Sequence, residues 1–280
     1  MSYASAALAL LERFAGQGPL PRVRALHLPP EPTPGEMRGV FCALELEGGA
    51  LGLTYLPPGD TWAELTRLQQ HLAHAGREAL DVARGYGSAD TLIRTVGFAA
   101  VNALTRCLYD RAGFVPPASG DSIGNIDPRP GETIGMIGYF PPLVARVTAS
   151  GAGLVVVELR RDLVGERDGA RVTLDATELE SCDKVLATGA LLLNDTLDAM
   201  LAHCRNARRF ALIGPSVGSP ADPLLAHGVT LLGGSWVTDC AAFVDALRSG
   251  DPTGHSARKF ALAQADYPGW DALLVRAARG

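Results

Sequence analysis

The chain has 280 residues, 47% of them hydrophobic and 6% aromatic, and a formal net charge of −5. That length holds one large or two modest domains, and the Ala-, Leu- and Val-rich composition excludes a disordered chain. An acidic balance with no basic stripe leaves nucleic acid without an electrostatic footprint, so no nucleic-acid partner is expected.

Ser2 to Phe14 reads as an amphipathic helix, with Leu8, Leu11 and Phe14 in phase. Glu12 and Arg13 interrupt its apolar run and no basic segment precedes it, so it is not expected to be a targeting signal. No window approaches the roughly 18 uninterrupted apolar residues of a membrane span, so a membrane partner is not expected. Strands are predicted at Arg22–Leu28, Met37–Leu46 and Leu51–Leu56, with a hairpin turn at Glu47-Gly48-Gly49. Pro57, Pro58 and Gly59 stop the sheet. Thr61 then caps a helix whose apolar positions are Trp62, Leu65, Leu68 and Leu72. A longer helix is predicted over Ala89–Asp110. The small residues along its buried side (Ala99, Ala100 and Ala103) would admit close approach of another element. Phe114–Pro130, rich in Pro, Gly, Ser and Asp, reads as an interdomain linker.

Beyond it the rhythm becomes alternating strand and helix. Strands are predicted at Thr133–Gly138, Leu154–Glu158, Lys184–Thr188, Phe210–Gly214 and Val229–Leu232. Helices are predicted at Pro141–Ser150, Asn194–Arg205 and Thr238–Ser249, and a polar loop with a short helix follows Glu158. Runs such as LVVVE and FALIG are apolar on both faces, as strands covered by helices on both sides must be. The fold class is therefore α/β: a Rossmann-like parallel five-stranded sheet preceded by a smaller α+β domain. The residues from Asp251 read as a C-terminal helical appendage around Pro268.

In an open parallel sheet, ligands bind outside the carboxyl ends of the strands. Those ends are Gly138, Glu158, Thr188–Gly189, Gly214–Pro215–Ser216 and Gly233–Gly234–Ser235, all small, polar or acidic. Gly138, Tyr139 and Phe140 are expected to form one wall of the crevice, with Phe140 as an apolar platform. Glu158, Thr188, Asn194 and Ser216 are expected to supply polar contacts. Glu158 lies about twenty residues after Gly138, where a dinucleotide fold places the acid for a ribose diol; a loop-starting surface carboxylate is the plainer reading. Conventional NAD is disfavoured, because Phe140 and Leu143 stand where the fingerprint needs glycines. Asn194 is expected to cap its helix as well as face the crevice. Ser216 lies in no G-x-S-x-G elbow, so hydrogen bonding is the better reading than nucleophilic attack. The five cysteines form no CxxC pair and read as reduced and packed inside a cytoplasmic protein. His71 and His74 share a helix face at a spacing that can chelate, but a surface pair is the plainer reading.

The segments GMIGYFPPLV (135–144), TGALLLNDT (188–196), LIGPS (212–216) and Gly233–Gly234, with GFAAVNALTR (97–106) before the linker, resemble the heavy-metal-chelation domain family of bacteria and archaea, over about residues 5 to 250. The resemblance implies an N-terminal domain similar to that of enolases over 1–112, a linker over 113–131, a Rossmann-like domain over 132–250, and an uncovered tail over 251–280. It also implies a cleft shared by the two domains, which would take a small molecule or a heavy-metal complex, with a divalent metal as the candidate cofactor. It fixes no reaction. An S-adenosylmethionine- or nucleotide-dependent enzyme and a non-catalytic sequestering protein both stay open, as does a homodimer.

Overall fold

The computed structural model describes residues 2–33, 40–70, 74–121 and 123–279. Helix α1 (Tyr3–Ala15) is capped by Ser2, whose hydroxyl accepts the Ser5 amide, and it buries Tyr3, Ala7, Leu11 and Phe14. Strands β1 (Val23–His27), β2 (Phe41–Leu46) and β3 (Leu51–Tyr55) form an antiparallel sheet in that order. The expected start of the second strand at Met37 lies outside the described residues, as do Leu72 and His71. Helices α2 (Thr61–Gln70), α3 (Ala79–Ala83) and α4 (Thr91–Arg111) follow. Asp90 caps α4 by accepting the amides of Leu92 and Ile93.

The close approach expected along α4 is present at two glycines. A side chain at Gly52 of β3 would fall on the Ala99 carbonyl and lie 2.9 Å from the Ala103 Cα. A side chain at Gly97 would fall on the Tyr86 amide and lie 2.5 Å from the Gly85 carbonyl carbon. The helix thus meets its neighbours backbone to backbone, which only glycine allows.

The second sheet contains β4 (Thr133–Ile137), β5 (Gly153–Val157), β6 (Gly165–Arg167), β7 (Ala170–Thr173), β8 (Lys184–Thr188), β9 (Arg209–Ile213), β10 (Leu231–Val237) and β11 (Ala257–Ala263). Their order is β11-β10-β9-β8-β4-β5-β7-β6. Helix α5 (Pro141–Thr148) joins β4 to β5; α6 (Ala190–Leu193) and α7 (Leu197–His203) join β8 to β9; α8 (Ala221–Ala226) joins β9 to β10. Helix α9 (Cys240–Ser249) precedes β11, and α10 (Trp270–Ala277) ends the chain.

The five expected strands are present and mutually parallel, with registers such as Thr133↔Gly153, Ile134↔Lys184, Lys184↔Arg209 and Leu231↔Ala211. Three strands were not expected. β7 pairs parallel to β5 inside the segment read as a loop, and β6 pairs antiparallel to it at the edge. The expected helical appendage is corrected: from Asp251 the chain supplies β11, antiparallel to β10 along its whole length, before α10. Gly233, Gly234 and Ser235 consequently lie within β10 rather than at its end. Gly234 is needed there because a side chain would strike the Val217 carbonyl and the Phe260 ring.

One buried cluster runs from Tyr3, Leu11 and Leu104 through Val185 and Leu212 to Trp270, so α1, α4, the large sheet and α10 share a core. Each such large side chain contributes about 1.5–3 kcal/mol on burial. Polar bonds add register. Tyr3 donates to Ser219 Oγ (2.6 Å) and Tyr86 donates to the Leu192 carbonyl (2.5 Å). At the opposite, N-terminal ends of the strands, buried Lys184 is held by Glu132 (2.7 Å) and the Asp127 carbonyl (2.6 Å). Among the described residues, no helix is long and apolar enough to cross a membrane.

Candidate functional site

The chain leaves β4 toward β5 and β7, then returns to the other side of β4 to lay down β8, β9 and β10. Side-by-side strands whose connections depart in opposite directions leave a crevice at their carboxyl ends. Here the strand ends on either side of that reversal carry Gly138 and Thr188. Gly138 adopts φ +89°. A side chain on it would lie 3.2 Å from the Thr188 methyl and 3.4 Å from the Phe140 ring, so the glycine lets these three residues converge. Gly189 has the same effect beside Thr188, where a side chain would lie 3.0 Å from Ser216 Oγ. Gly138, Phe140, Thr188 and Ser216 are thus near neighbours, as their strand-end positions imply.

Glu158 is turned toward its own loops. Its Oε2 accepts the Tyr139 amide (2.9 Å), and its Oε1 accepts the amides of Leu159 (2.7 Å) and Arg160 (3.3 Å). The carboxylate fills a nest of backbone N–H groups that would otherwise attract an anion. The first turn of α5 adds few donors, because Pro141 and Pro142 have no N–H. Tyr139 donates to Asp168 Oδ2 (2.5 Å), and desolvation together with that carboxylate pushes its phenol up to about 12. Tyr55, at the end of β3, is also raised, first by burial and then by the Glu158 charge, which places its phenol near Glu158.

Asn194 does not cap the following helix. It is the exposed C-terminal cap of α6, and its amide nitrogen, in the orientation that satisfies it, donates to the carbonyls of Ala190 (3.1 Å) and Leu191 (3.2 Å). Asp195 follows at φ +59°, so the helix expected from Asn194 starts later, as α7 at Leu197, and the short α6 precedes it.

A residue that the sequence did not single out closes the site. Asn102 projects from α4 and is 3% exposed. Its amide donates to the Leu53 carbonyl (2.7 Å) and the Ser216 carbonyl (3.0 Å), joining β3 to the loop after β9. Its Oδ1 is buried without a partner. Beside it is a cavity of about 30 Å3, bordered by Arg106, Pro215, Gly218, Ser235 and Trp236. A single water needs about 10–15 Å3 on the same measure, so the cavity holds only a few atoms. The Arg106 guanidinium lies 3.8 Å from the Trp236 ring centre and donates to the Val237 carbonyl (2.9 Å). The available signal was an amide on the apolar side of a helix, where it must find buried partners.

Residues 121–265 match the family described as "putative heavy-metal chelation" (DUF364), and residues 39–105 match a second family of the same description (DUF4213). The chain belongs to this family. An uncharacterized protein of Methanocaldococcus jannaschii is 27% identical over 186 residues, 62% of this chain and 69% of that one. A DUF364 crystal structure from Desulfitobacterium hafniense shares 20% identity and a TM-score of 0.65, covering 91% of this chain and 98% of that one. Another from Pyrococcus horikoshii shares 20% identity and a TM-score of 0.67, covering 92% and 99%. At that identity the likeness shows a common fold. The family segment reaches residue 265 and so includes β11, beyond the span of about 5 to 250 read from the sequence motifs.

The donor set among the described residues does not fit the metal in the family's description. Among the described residues, no three His, Cys, Asp or Glu side chains cluster as a metal site. Burial pushes the thiols of Cys42 and Cys204 up to about 12 and that of Cys182 up to about 11, so they carry protons at neutral pH rather than offering thiolates. His27 is bonded to Glu45 (2.8 Å) and His203 to Glu180 (2.9 Å).

Proposed function

We propose that this protein binds a small organic molecule in the crevice between the carboxyl ends of β4 and β8, where the residues after β3 and α4 cover it. The observation that carries this reading is the convergence of Gly138, Phe140 and Thr188 where the strand order reverses. Phe140 offers an apolar face with the Thr188 methyl near it, and the Thr188 hydroxyl, which accepts the Ala190 amide (3.2 Å), keeps its hydrogen to donate. Ser216 borders the same space, while Glu158 holds the Tyr139 amide and so fixes that wall. Asn194 is exposed and locally bonded, which leaves it a minor contact. The division into an enolase-N-terminal-like domain before the linker and a Rossmann-like domain after it belongs to the same proposal. A metal would enter within the ligand, as in a complex whose organic shell meets Phe140 and Thr188, because the chain gathers no donor set of its own among the described residues.

Native mass spectrometry with elemental analysis, on protein purified without chelators or an affinity tag, tests this. The expected result is an added organic mass, reduced by Phe140→Ala. A bare metal ion bound stoichiometrically, and retained in Phe140→Ala, would overturn the reading.

A further inference from the structure

A second cavity lies within the N-terminal region of the chain, away from the strand ends of the large sheet. It measures about 220 Å3, compared with about 150 Å3 for an engineered protein cavity that accepts benzene. Leu68, Val82, Leu92 and Val96 line it with apolar surface, and Ile93, which also lines it, is 52% exposed.

Three polar side chains border this space, and their pairing is unequal. Asp81 is bound to Arg84 (2.5 Å), which also reaches Glu12 (2.9 Å), so the acid is already neutralised. The Arg77 guanidinium makes no hydrogen bond or ion pair with any described residue. His74 has both ring nitrogens buried and unpartnered among the described residues. Burial first, and Arg77 second, hold its pKa below the ordinary histidine value, so the ring is neutral near pH 7, with one N–H to donate and one lone pair to accept. Unmade bonds of this kind cost stability and call for a reason.

The turn carrying these groups is fixed to the sheet. The Val23 amide donates to the Arg77 carbonyl (2.9 Å) and the Gly76 amide to the Val23 carbonyl (2.8 Å). Arg22 adds a bond to the Gly76 carbonyl (2.7 Å) and an ion pair with Glu78. The backbone that carries the cation and the imidazole is therefore held beside an apolar hollow.

We propose that this cavity is a binding site for a small monocarboxylate with an aromatic or branched apolar body, its carboxylate paired with Arg77 and hydrogen-bonded by His74. The body fills the space between Val82, Leu92 and Val96 and covers Ile93. A neutral ligand leaves the cation unused, and a dianion exceeds the one cation without a partner among the described residues that line the cavity. Guanidinium matches carboxylate through two parallel bonds, which a lysine would not reproduce.

Calorimetric titration of the full chain with phenylacetate and with phenylacetamide tests the site, alongside Arg77→Gln, an exposed change that leaves the apolar lining of the cavity intact. NMR of the histidine ring protons, with His74 assigned through His74→Gln, reports where binding occurs. The expected result is saturable phenylacetate binding that shifts the His74 signal and is weakened about tenfold or more, both by Arg77→Gln and by replacing acid with amide. Equal binding of acid and amide, an unmoved His74 signal, or no saturable binding by about 10 mM would overturn the proposal.

Discussion

Asn102 gives the sharpest test of how the candidate site is held together. Its two amide hydrogens bridge the carbonyls of Leu53 and Ser216, and its oxygen faces no donor. Asn102→Leu keeps the volume and removes both bonds. Each neutral bond contributes about 1 kcal/mol net, and each carbonyl left bare costs about 1–3 kcal/mol. The Ser216 carbonyl keeps the Gly218 amide (3.1 Å), and removing the orphaned Oδ1 returns about 1 kcal/mol. The net expectation is a loss of about 1–3 kcal/mol with little dependence on pH.

Asn102→Asp has the same shape and a different signature. An ionised carboxylate would face two carbonyl oxygens, and burial and repulsion raise its folded-state pKa by about 3 units above the unfolded value near 3.9, with Arg106 on the same small cavity opposing part of the shift. A raised folded pKa means that the folded state binds the proton more tightly. The variant is therefore least harmed below about pH 4 and loses about 1.4 kcal/mol per pH unit until the folded pKa is reached. Relative to Asn102→Leu, it should lose about 2–3 kcal/mol more between pH 5 and pH 7. Urea unfolding of both variants and the parent chain at those two pH values measures this. A pH-independent Asn102→Asp, or one more stable than Asn102→Leu at pH 7, would refute the bridge.

Gly97→Ala forces a methyl onto the backbone of Tyr86 and Gly85, which cannot yield as a side chain would; a loss of about 2–3 kcal/mol in the same unfolding assay is expected, and a neutral change would show that α4 sits further out. Burial holds the phenols of Tyr3, Tyr109 and Tyr267 far above their ordinary range, with Asp222 adding to the effect at each. These folded pKa values exceed the unfolded ones, so stability is intact below about pH 10 and falls above it by about 1.4 kcal/mol per unit for each phenol. Tyr267→Phe should flatten that alkaline slope, and an unchanged slope would exclude its role. With the thiols of Cys42, Cys107, Cys182 and Cys204 buried and raised, a thiol reagent at about pH 8 should modify chiefly half-buried Cys240 in the native protein and all five after unfolding; rapid native reaction at Cys182 and Cys204 would reopen a thiolate metal site.

The parallel strands were legible because strands covered on both faces must be apolar throughout, as Leu154–Val157 and Phe210–Ile213 are. The sheet's edges were not. All three residues of β6 are exposed and carry Glu166 and Arg167, so it has the composition of a loop and is a strand only by pairing. β11 alternates, with Phe260 and Leu262 inward and Lys259 outward, but Arg258 and Lys259 mask the pattern in a stretch that begins after Pro252. A charged edge guards against pairing with other chains, and the same charge hides the strand from a reading based on hydrophobic runs. The late start of α7 at Leu197 depends on one backbone angle at Asp195, which aspartate tolerates better than most residues and does not announce.

For the site, sequence position located the residues but not their bonds. Glu158 stands where an acid for a ribose diol would stand, yet its direction is decided by nearer claims. Strand ends leave backbone N–H groups without partners, and every such group needs an acceptor. Tyr139, Leu159 and Arg160 supply three, and the carboxylate is the acceptor within reach. A phosphate or other anion entering this loop would have to displace Glu158, giving up three charge-assisted bonds and bringing two negative charges together. A ligand that approaches from the Phe140 and Thr188 side incurs neither cost. The bond from the Tyr139 amide to Glu158 also holds Tyr139, and with it Phe140, in place. That asymmetry is the physical ground for the proposed ligand, a molecule recognised by an apolar face and a hydroxyl rather than by its charge.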